Sequence, residues 1–465
     1  MFNNLLKIGL FSITLLSTAV SADVLNTNEQ KQLMALQETA LTSDLSYNLI
    51  ESLTTEVGHR LVGSEGDKKS IIWAVNKMKT LGFDKVWTED VTATYWHRGE
   101  VEAKVIAPYP HKVVAIALGG SVGTGDKGIK GKIAHFNTFK DLEAAADNSL
   151  TGKVVFISYR MERHIDGKGY GPAVAARKNG AAVAAKKGAS AIIIRSIGTD
   201  NNRLAHTGSV RYDEGGKAIP AASISNPDAD MLLNQLKRSD DVEFFLKLTS
   251  HSDPKVVAKT ANVIGELTGS EFPNEYVTLG AHLDSWDVGT GAVDDGIGVG
   301  MMMATVHHIA QLAVKPKRTI RVILFAAEEI GLVGAKTYVE KRKSDMTGHV
   351  IGAEWDFGVG PIYEMRTGVG KKSLPALHEF AQYLKPLGVG VSKTNTAKAQ
   401  SDMSLMSEAG MPSVNFAPDG SLYFDYHHTE NDTLDKVDAK ALKHNTAIYT
   451  MFAYFAAQSG VDFSH

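Results

Sequence analysis

From Pro254 onward the chain alternates short apolar runs with amphipathic ones, and that alternation limits the fold more than any other feature of the sequence. Residues 276–279, 318–325 and 350–355 are apolar runs of strand length, while 296–312, 333–341, 375–384 and 441–458 carry helical spacing between and after them. Strands buried on both faces read as continuous apolar runs, and strand–helix alternation places helices on both faces of the sheet. The expected fold class is therefore α/β, with a mixed, mainly parallel sheet. In such sheets ligands bind beyond the carboxyl ends of the strands.

Upstream of Pro254 the texture differs. Residues 28–57 space their leucines three, four and five apart, and 64–81 carry Ile71, Ile72, Val75, Met78 and Leu81 on one stripe with Gly82 as a stop, so both segments read as helices. Residues 86–93 and 99–106 alternate as strands, and Pro108 and Pro110 mark a boundary. Between 113 and 252, short strands such as 153–159 and 189–194 flank an Ala-rich helix at 173–187. This predicts a discontinuous domain over 23–112 and 253–465, interrupted by a smaller α/β domain over 113–252.

Residues 1–22 read as a secretory signal, with Lys7, a largely apolar stretch at 8–16 and small residues at 19–22. That stretch, about nine residues, is too short to span a bilayer, and no later run reaches about 18 apolar residues. A soluble exported protein without a membrane span, periplasmic or secreted, is expected. Lys and Arg number 49 against 52 Asp and Glu, a net charge of −3, which argues against non-specific nucleic-acid binding. The chain has no cysteine, which removes disulfides, thiolate metal sites and Cys nucleophiles together. A metal here must be held by His and carboxylates.

Those residues fall where the predicted strands end. The run 276–281 leads into His282 and Asp284, which project to the same side of an extended chain, so that a carboxylate can support a metal-binding imidazole. Asp294 and Asp295 open the helix after Gly291, where the helix dipole keeps a carboxylate ionised. Residues 318–327 run into Glu328 and Glu329, adjacent acids that point in different directions, so one can bind metal while its neighbour works on substrate. Asp356 follows 350–355, and His427 and His428 stand among turn-forming residues at 426–433. Each is weak alone, but together they make an oxygen-and-nitrogen site that suits zinc, with manganese or cobalt as substitutes. Other motifs have plainer readings. Residues 119–123 match G-x-S-x-G around Ser121 but lack a clear following helix, 296–300 lack dinucleotide-binding spacing, and His307, His308 and Met301 to Met303 read as packing or surface residues.

The segments AHLDSWD, GAVDDGIG, FAAEEIGLVG, AEWD and HHTENDT, in this order and at these intervals, resemble the co-catalytic di-zinc exopeptidases, which include bacterial leucyl aminopeptidase and glutamate carboxypeptidases, and within them the carboxypeptidase Q branch. PKRT at 316–319 and HTG at 206–208 extend the resemblance over most of the chain after residue 22, and 113–252 resembles that branch's protease-associated domain. The resemblance implies two zinc ions per chain. One would be held by His282, Asp294 and Asp356 and the other by Asp294, Glu329 and His428, with Asp294 as the bridge. It makes Glu328 the general base and then the general acid, has Asp284 fix the His282 ring and Asp432 brace the loop of His428, and favours His428 over His427 as ligand.

The implied activity is hydrolysis of dipeptides or short peptides as a carboxypeptidase or dipeptidase. An aminopeptidase of the same family is the runner-up, and a non-catalytic binding protein on the same fold is the rival. A carboxypeptidase needs cations or N–H groups for the substrate's carboxylate, and His206, Arg203 and Arg195 are the candidates. Members of the family often dimerise, so the resemblance admits a homodimer.

Overall fold

The computed structural model describes residues 23–252, 255–343 and 346–465, so the signal sequence expected at 1–22 lies outside the described residues. The strands form two eight-stranded sheets. In the first, Arg318–Phe325, Phe272–His282 and His349–Glu354 run side by side in parallel. Val257–Leu267 and Lys85–Thr94 extend one side antiparallel. On the other side Ser413–Pro418 joins in parallel, followed by Ile362–Gly368 antiparallel to it and by Gly390–Val391. The sheet is mixed and mainly parallel, as the apolar alternation implies. The helices Ile297–Ala310 and Ala439–Gln458 pack on each other and on this sheet, buried on nearly every face, and Met301 to Met303 are fully enclosed. A helix apolar all round needs protein on every side.

Two elements depart from the sequence expectation for local reasons. The helix expected at 28–57 is two helices, Thr27–Thr42 and Leu45–Glu56. Ser43 leaves the helical region, and its Oγ accepts the Leu45 N–H at 3.1 Å, a side-chain bond that competes with the helix ladder. The strand Val257–Leu267 has no clean apolar pattern because three of its buried residues are polar and bound to distant partners. Thr260 donates to Asp67 at 2.8 Å, Asn262 accepts the Ala326 N–H at 2.9 Å, and Glu266 pairs with Arg321.

The second sheet runs in the order His111–Val113, Val101–Ala107, Glu243–Leu248, Ile129–Phe136, Val154–Ile157, Ala191–Arg195, Ala221–Ile224 and Ala115–Ala117. It therefore begins at Val101 rather than at the boundary expected after residue 112. Val101–Ala107 pairs with Glu243–Leu248 and with His111–Val113, so Pro108 and Pro110 shape the turn of a hairpin instead of a linker. The crossings between sheets lie before Val101 and after Leu248, where His97 and His251 exchange backbone hydrogen bonds of 2.9 Å. Among the described residues no helix is long and apolar enough to cross a membrane.

Candidate metal centre

Register brings the strand ends together. His282 ends its strand opposite Phe325, and Gly280 stands opposite Glu354, so the carboxyl ends of the three parallel strands are nearly level. Glu328, Glu329 and Asp356 leave those ends beside His282. Asp294 comes from the turn Ala292–Gly296 that leads into Ile297–Ala310, and His427 and His428 follow the short helix Tyr423–Tyr426.

His282 Nε2 lies 3.0 Å from Asp294 Oδ1 and 3.2 Å from Asp356 Oδ1. His428 Nε2 lies 3.3 Å from Asp294 Oδ2 and 3.1 Å from Glu329 Oε2. Ligand atoms about 3.3 Å apart form the edge of a tetrahedron around an ion with bonds of about 2.0 Å. Both rings turn Nδ1 toward a main-chain oxygen, of Asp284 at 2.9 Å for His282 and of Thr207 at 3.2 Å for His428. A carbonyl only accepts, so His282 Nδ1 carries the hydrogen, and either a second ring proton or a cation must stand between its Nε2 and the carboxylates; His428 Nδ1 also has Arg177 Nη1 3.4 Å away. Asp294 Oδ2 and Glu329 Oε1 are buried without a hydrogen-bond partner, a rare state for such oxygens unless a cation meets them. The donor set fits divalent cations.

The charges point the same way. Burial works to lower the His282 pKa, yet Asp356 and Asp294 outweigh it and hold the ring well above its ordinary range. Asp294 stays well below the usual carboxylate range against its burial, because the His282, His428 and His427 rings crowd against it. Burial, reinforced by Asp294, pushes Glu329 well above that range, and burial with the Asp356 and Glu329 carboxylates pushes Glu328 up to about 8. Bound cations relieve such crowding of carboxylates.

Of the two adjacent imidazoles, His427 stacks on His428 with ring centroids 3.5 Å apart, and its Nε2 stands 3.7 Å from Asp294, further than that of His428. Asp295 accepts the backbone N–H groups of His282 and Gly298, which holds the turn. The Asp284 carboxylate, expected to fix the His282 ring, stands 3.8 Å from its Nδ1, beyond hydrogen-bond reach. The Asp284 main-chain oxygen meets that nitrogen instead, while the carboxylate accepts the N–H of Glu328 at 2.9 Å and of Glu329 at 3.3 Å. It orients the glutamate pair. Asp432 accepts the Val293 N–H at 2.6 Å, which ties the loop of His428 to the turn of Asp294. Ser401 donates to Glu328 Oε1 at 2.7 Å. Beneath these loops Arg60, fully buried, donates to the main-chain oxygens of Leu283, Thr290 and Gly291 at 2.6 to 2.8 Å.

A cleft of about 490 Å³ opens onto Asp294, Glu328, Glu329 and His428. None of His206, Arg203 and Arg195 lines it, which corrects the expectation for carboxylate recognition. Internal acceptors occupy all three. Arg195 binds the Ser158 carbonyl and Asp230 at 2.9 and 2.6 Å, and Arg203 pairs with Asp228 at 3.1 Å. His206 is buried between Asp200 and the His427 carbonyl, at 2.8 and 2.9 Å. The cations on the cleft are Arg177, Lys178, Arg211 and Lys336. Arg177, only 4% exposed, donates to the Tyr170 hydroxyl at 2.8 Å and sets Nη1 3.4 Å from His428 Nδ1, while its Nε has no partner. Its signal in the sequence is an Arg-Lys pair interrupting a helix of small residues; Ser401 and Arg60 have none. Ser121 is buried and its Oγ accepts the Ala221 N–H at 2.9 Å, so it is no exposed nucleophile.

The sequence model for Peptidase family M28 matches residues 262–453. Carboxypeptidase Q of Rattus norvegicus is 33% identical over 412 residues, which cover 89% of this chain and 85% of that protein. Carboxypeptidase Q of Homo sapiens is 31% identical over the same shares. The crystal structure of the Peptidase M28 precursor from Shewanella amazonensis SB2B is 47% identical, with a TM-score of 0.91 over 94% of this chain and 98% of that one. A zinc aminopeptidase from Bacillus subtilis shares the fold, at 21% identity and a TM-score of 0.64 over 90% and 97% of the chains.

Proposed function

The chain belongs to peptidase family M28, and from that membership we propose that it is a zinc-dependent exopeptidase that hydrolyses dipeptides or removes single residues from short peptides. The observation that carries this reading is the pair of donor sets sharing Asp294, with Glu328 beside them on the cleft. His282, Asp294 and Asp356 would hold one zinc ion, and Asp294, Glu329 and His428 a second. Bound there, the cations would polarise the scissile carbonyl and acidify the attacking water.

The chain's own groups do the rest. Glu328 takes the water's proton and delivers it to the departing amine, and the Ser401 hydroxyl on Oε1 leaves the other carboxylate oxygen for that transfer. Asp284 keeps the glutamate in place through its backbone N–H. Among the described residues every acid on the cleft belongs to the donor sets or is this base, and no other stands on the wall to receive a substrate ammonium. Arg177, Lys178 and Arg211 instead offer positive charge to a carboxylate, which supports a carboxypeptidase or dipeptidase. They come from the unit of residues 101–248, read here as an inserted protease-associated domain that walls the cleft. Export, expected from residues 1–22, makes the substrates peptides outside the cytoplasm.

Product analysis on an unblocked dipeptide, its N-acetyl form and its C-terminal amide tests the proposal, with a chelator and Glu328→Gln as controls. Cleavage that needs metal and Glu328, survives acetylation and fails on the amide is the carboxypeptidase result; cleavage of the unblocked form alone is the dipeptidase result. Cleavage of the amide but not the acetylated form overturns the carboxylate reading in favour of an aminopeptidase. No cleavage by zinc-loaded protein leaves the fold as a binding protein.

A further inference from the structure

The two imidazoles read here as metal ligands, His282 and His428, are held from different parts of the molecule. The ring of His282 donates to Asp284, two residues along its own strand end. The ring of His428 sets Nδ1 3.2 Å from the Thr207 carbonyl, 221 residues away in the unit of the second sheet, and 3.4 Å from Arg177 Nη1 of the same unit. His428 also has a φ of +62°, a left-handed conformation that a residue with a side chain keeps only when its surroundings hold it there. Those surroundings are one short segment. The Thr207 N–H donates to the His428 carbonyl at 3.0 Å, and the His206 ring donates through Nδ1 to the His427 carbonyl at 2.9 Å.

This segment is itself anchored. The His206 N–H donates to Ser196 Oγ at 2.8 Å, and its Nε2 meets Asp200 at 2.8 Å. Thr207 Oγ1 accepts from Arg98 at 2.8 Å and donates to the Ala117 carbonyl at 3.1 Å. Gly208 has a φ of +126°, and a Cβ there would come within 2.3 Å of the Arg177 guanidinium. Glycine at that point lets the segment pass beneath Arg177 and reach the histidine loop.

We infer that His206, Thr207 and Gly208 position the metal ligand His428, so that the unit of the second sheet completes one half of the metal centre. The inference rests on the reading of His428 as a zinc ligand. The Thr207 carbonyl and Arg177 Nη1 meet the Nδ1 edge of the ring and leave Nε2 toward Asp294 and Glu329. His206 is a positioning residue that acts through the main chain of His427. Among the described residues, His282 and Asp356 find hydrogen-bond partners in Asp284, Asp294 and Gln400, outside that unit.

The test is zinc stoichiometry and affinity by chelator competition, with visible spectra of the cobalt-substituted protein, for wild type, His206→Ala, His206→Asn and His206→Gln. Asn places an amide N–H where Nδ1 stands and keeps the bond to His427, whereas Gln reaches as Nε2 does and keeps only Asp200. Wild type is expected to bind two zinc ions. His206→Ala and His206→Gln should bind the first normally and the second roughly 10- to 100-fold more weakly, with a changed cobalt spectrum, while His206→Asn stays near wild type. Unchanged second-site affinity in the Ala and Gln variants, equal weakening of both sites, or Asn as damaged as Gln overturns the inference while the zinc reading stands. If His206→Ala does not fold, the contrast between Asn and Gln gives the same decision. Wild type that binds fewer than two zinc ions fails the zinc reading, and the inference with it.

Discussion

Arg177 is the residue on which the direction of cleavage turns. Its guanidinium is buried beside the cleft with Nε unpaired, a costly arrangement unless an anion completes it. A hydrogen bond to a charged partner contributes about 1.5–3 kcal/mol, or roughly 10- to 100-fold in binding. Arg177→Gln should raise KM for a free-carboxylate dipeptide by that factor; steady-state kinetics with an unchanged KM would remove Arg177 from recognition. Residues of this kind are hard to read from sequence. Asp294 and Glu328 announce themselves by standing next to another acid at the end of an apolar run. Arg195, Arg203 and Arg177 look alike until packing decides that two are consumed by internal acceptors and one faces the cleft.

At the scale of elements, the strand His349–Glu354 carries a buried titratable group at its start. His349 Nδ1 bonds Thr278 Oγ1 at 2.7 Å, and its ring is pushed down to about 3 by burial and by the nearby Arg321 and Arg342 guanidinium groups. Between that value and the ordinary 6.5 of the unfolded chain, the unfolded state binds a proton that the folded state refuses. Stability present above pH 6.5 is therefore lost as pH falls, by about 2 kcal/mol at pH 5. Replacing the imidazole by Asn, which retains a donor or acceptor for Thr278, should cost stability at pH 7 and narrow its deficit against wild type by about that amount at pH 5. Parallel stability curves from urea titrations at the two pH values would exclude His349 as the cause. Elements read well from sequence where burial is apolar, as in Arg318–Phe325, and poorly where it is polar. Val257–Leu267 hides its strand character because Thr260, Asn262 and Glu266 are satisfied by partners the local pattern does not contain.

Across the whole molecule, the centre joins loops from the first sheet to the segment 206–208 of the second, with Arg60 and Asp432 binding the loops beneath it. An ion that binds only the folded state stabilises it by about 4 kcal/mol at a thousandfold excess over its Kd. Chelation should therefore lower the unfolding temperature in calorimetry and zinc should restore it; a midpoint indifferent to both would mean that these carboxylates hold no metal in solution. The sequence alone determined the α/β class, because strand and helix periods are written over a few residues, and it marked which acids and imidazoles stand at strand ends. Tertiary structure alone decided that the second sheet starts at Val101, that Asp284 serves Glu328 and Glu329, that Arg177 lines the cleft and that Thr207 holds His428. Each of those depends on a strand register or on a partner far along the chain, and packing of the whole core selects such contacts where local composition cannot.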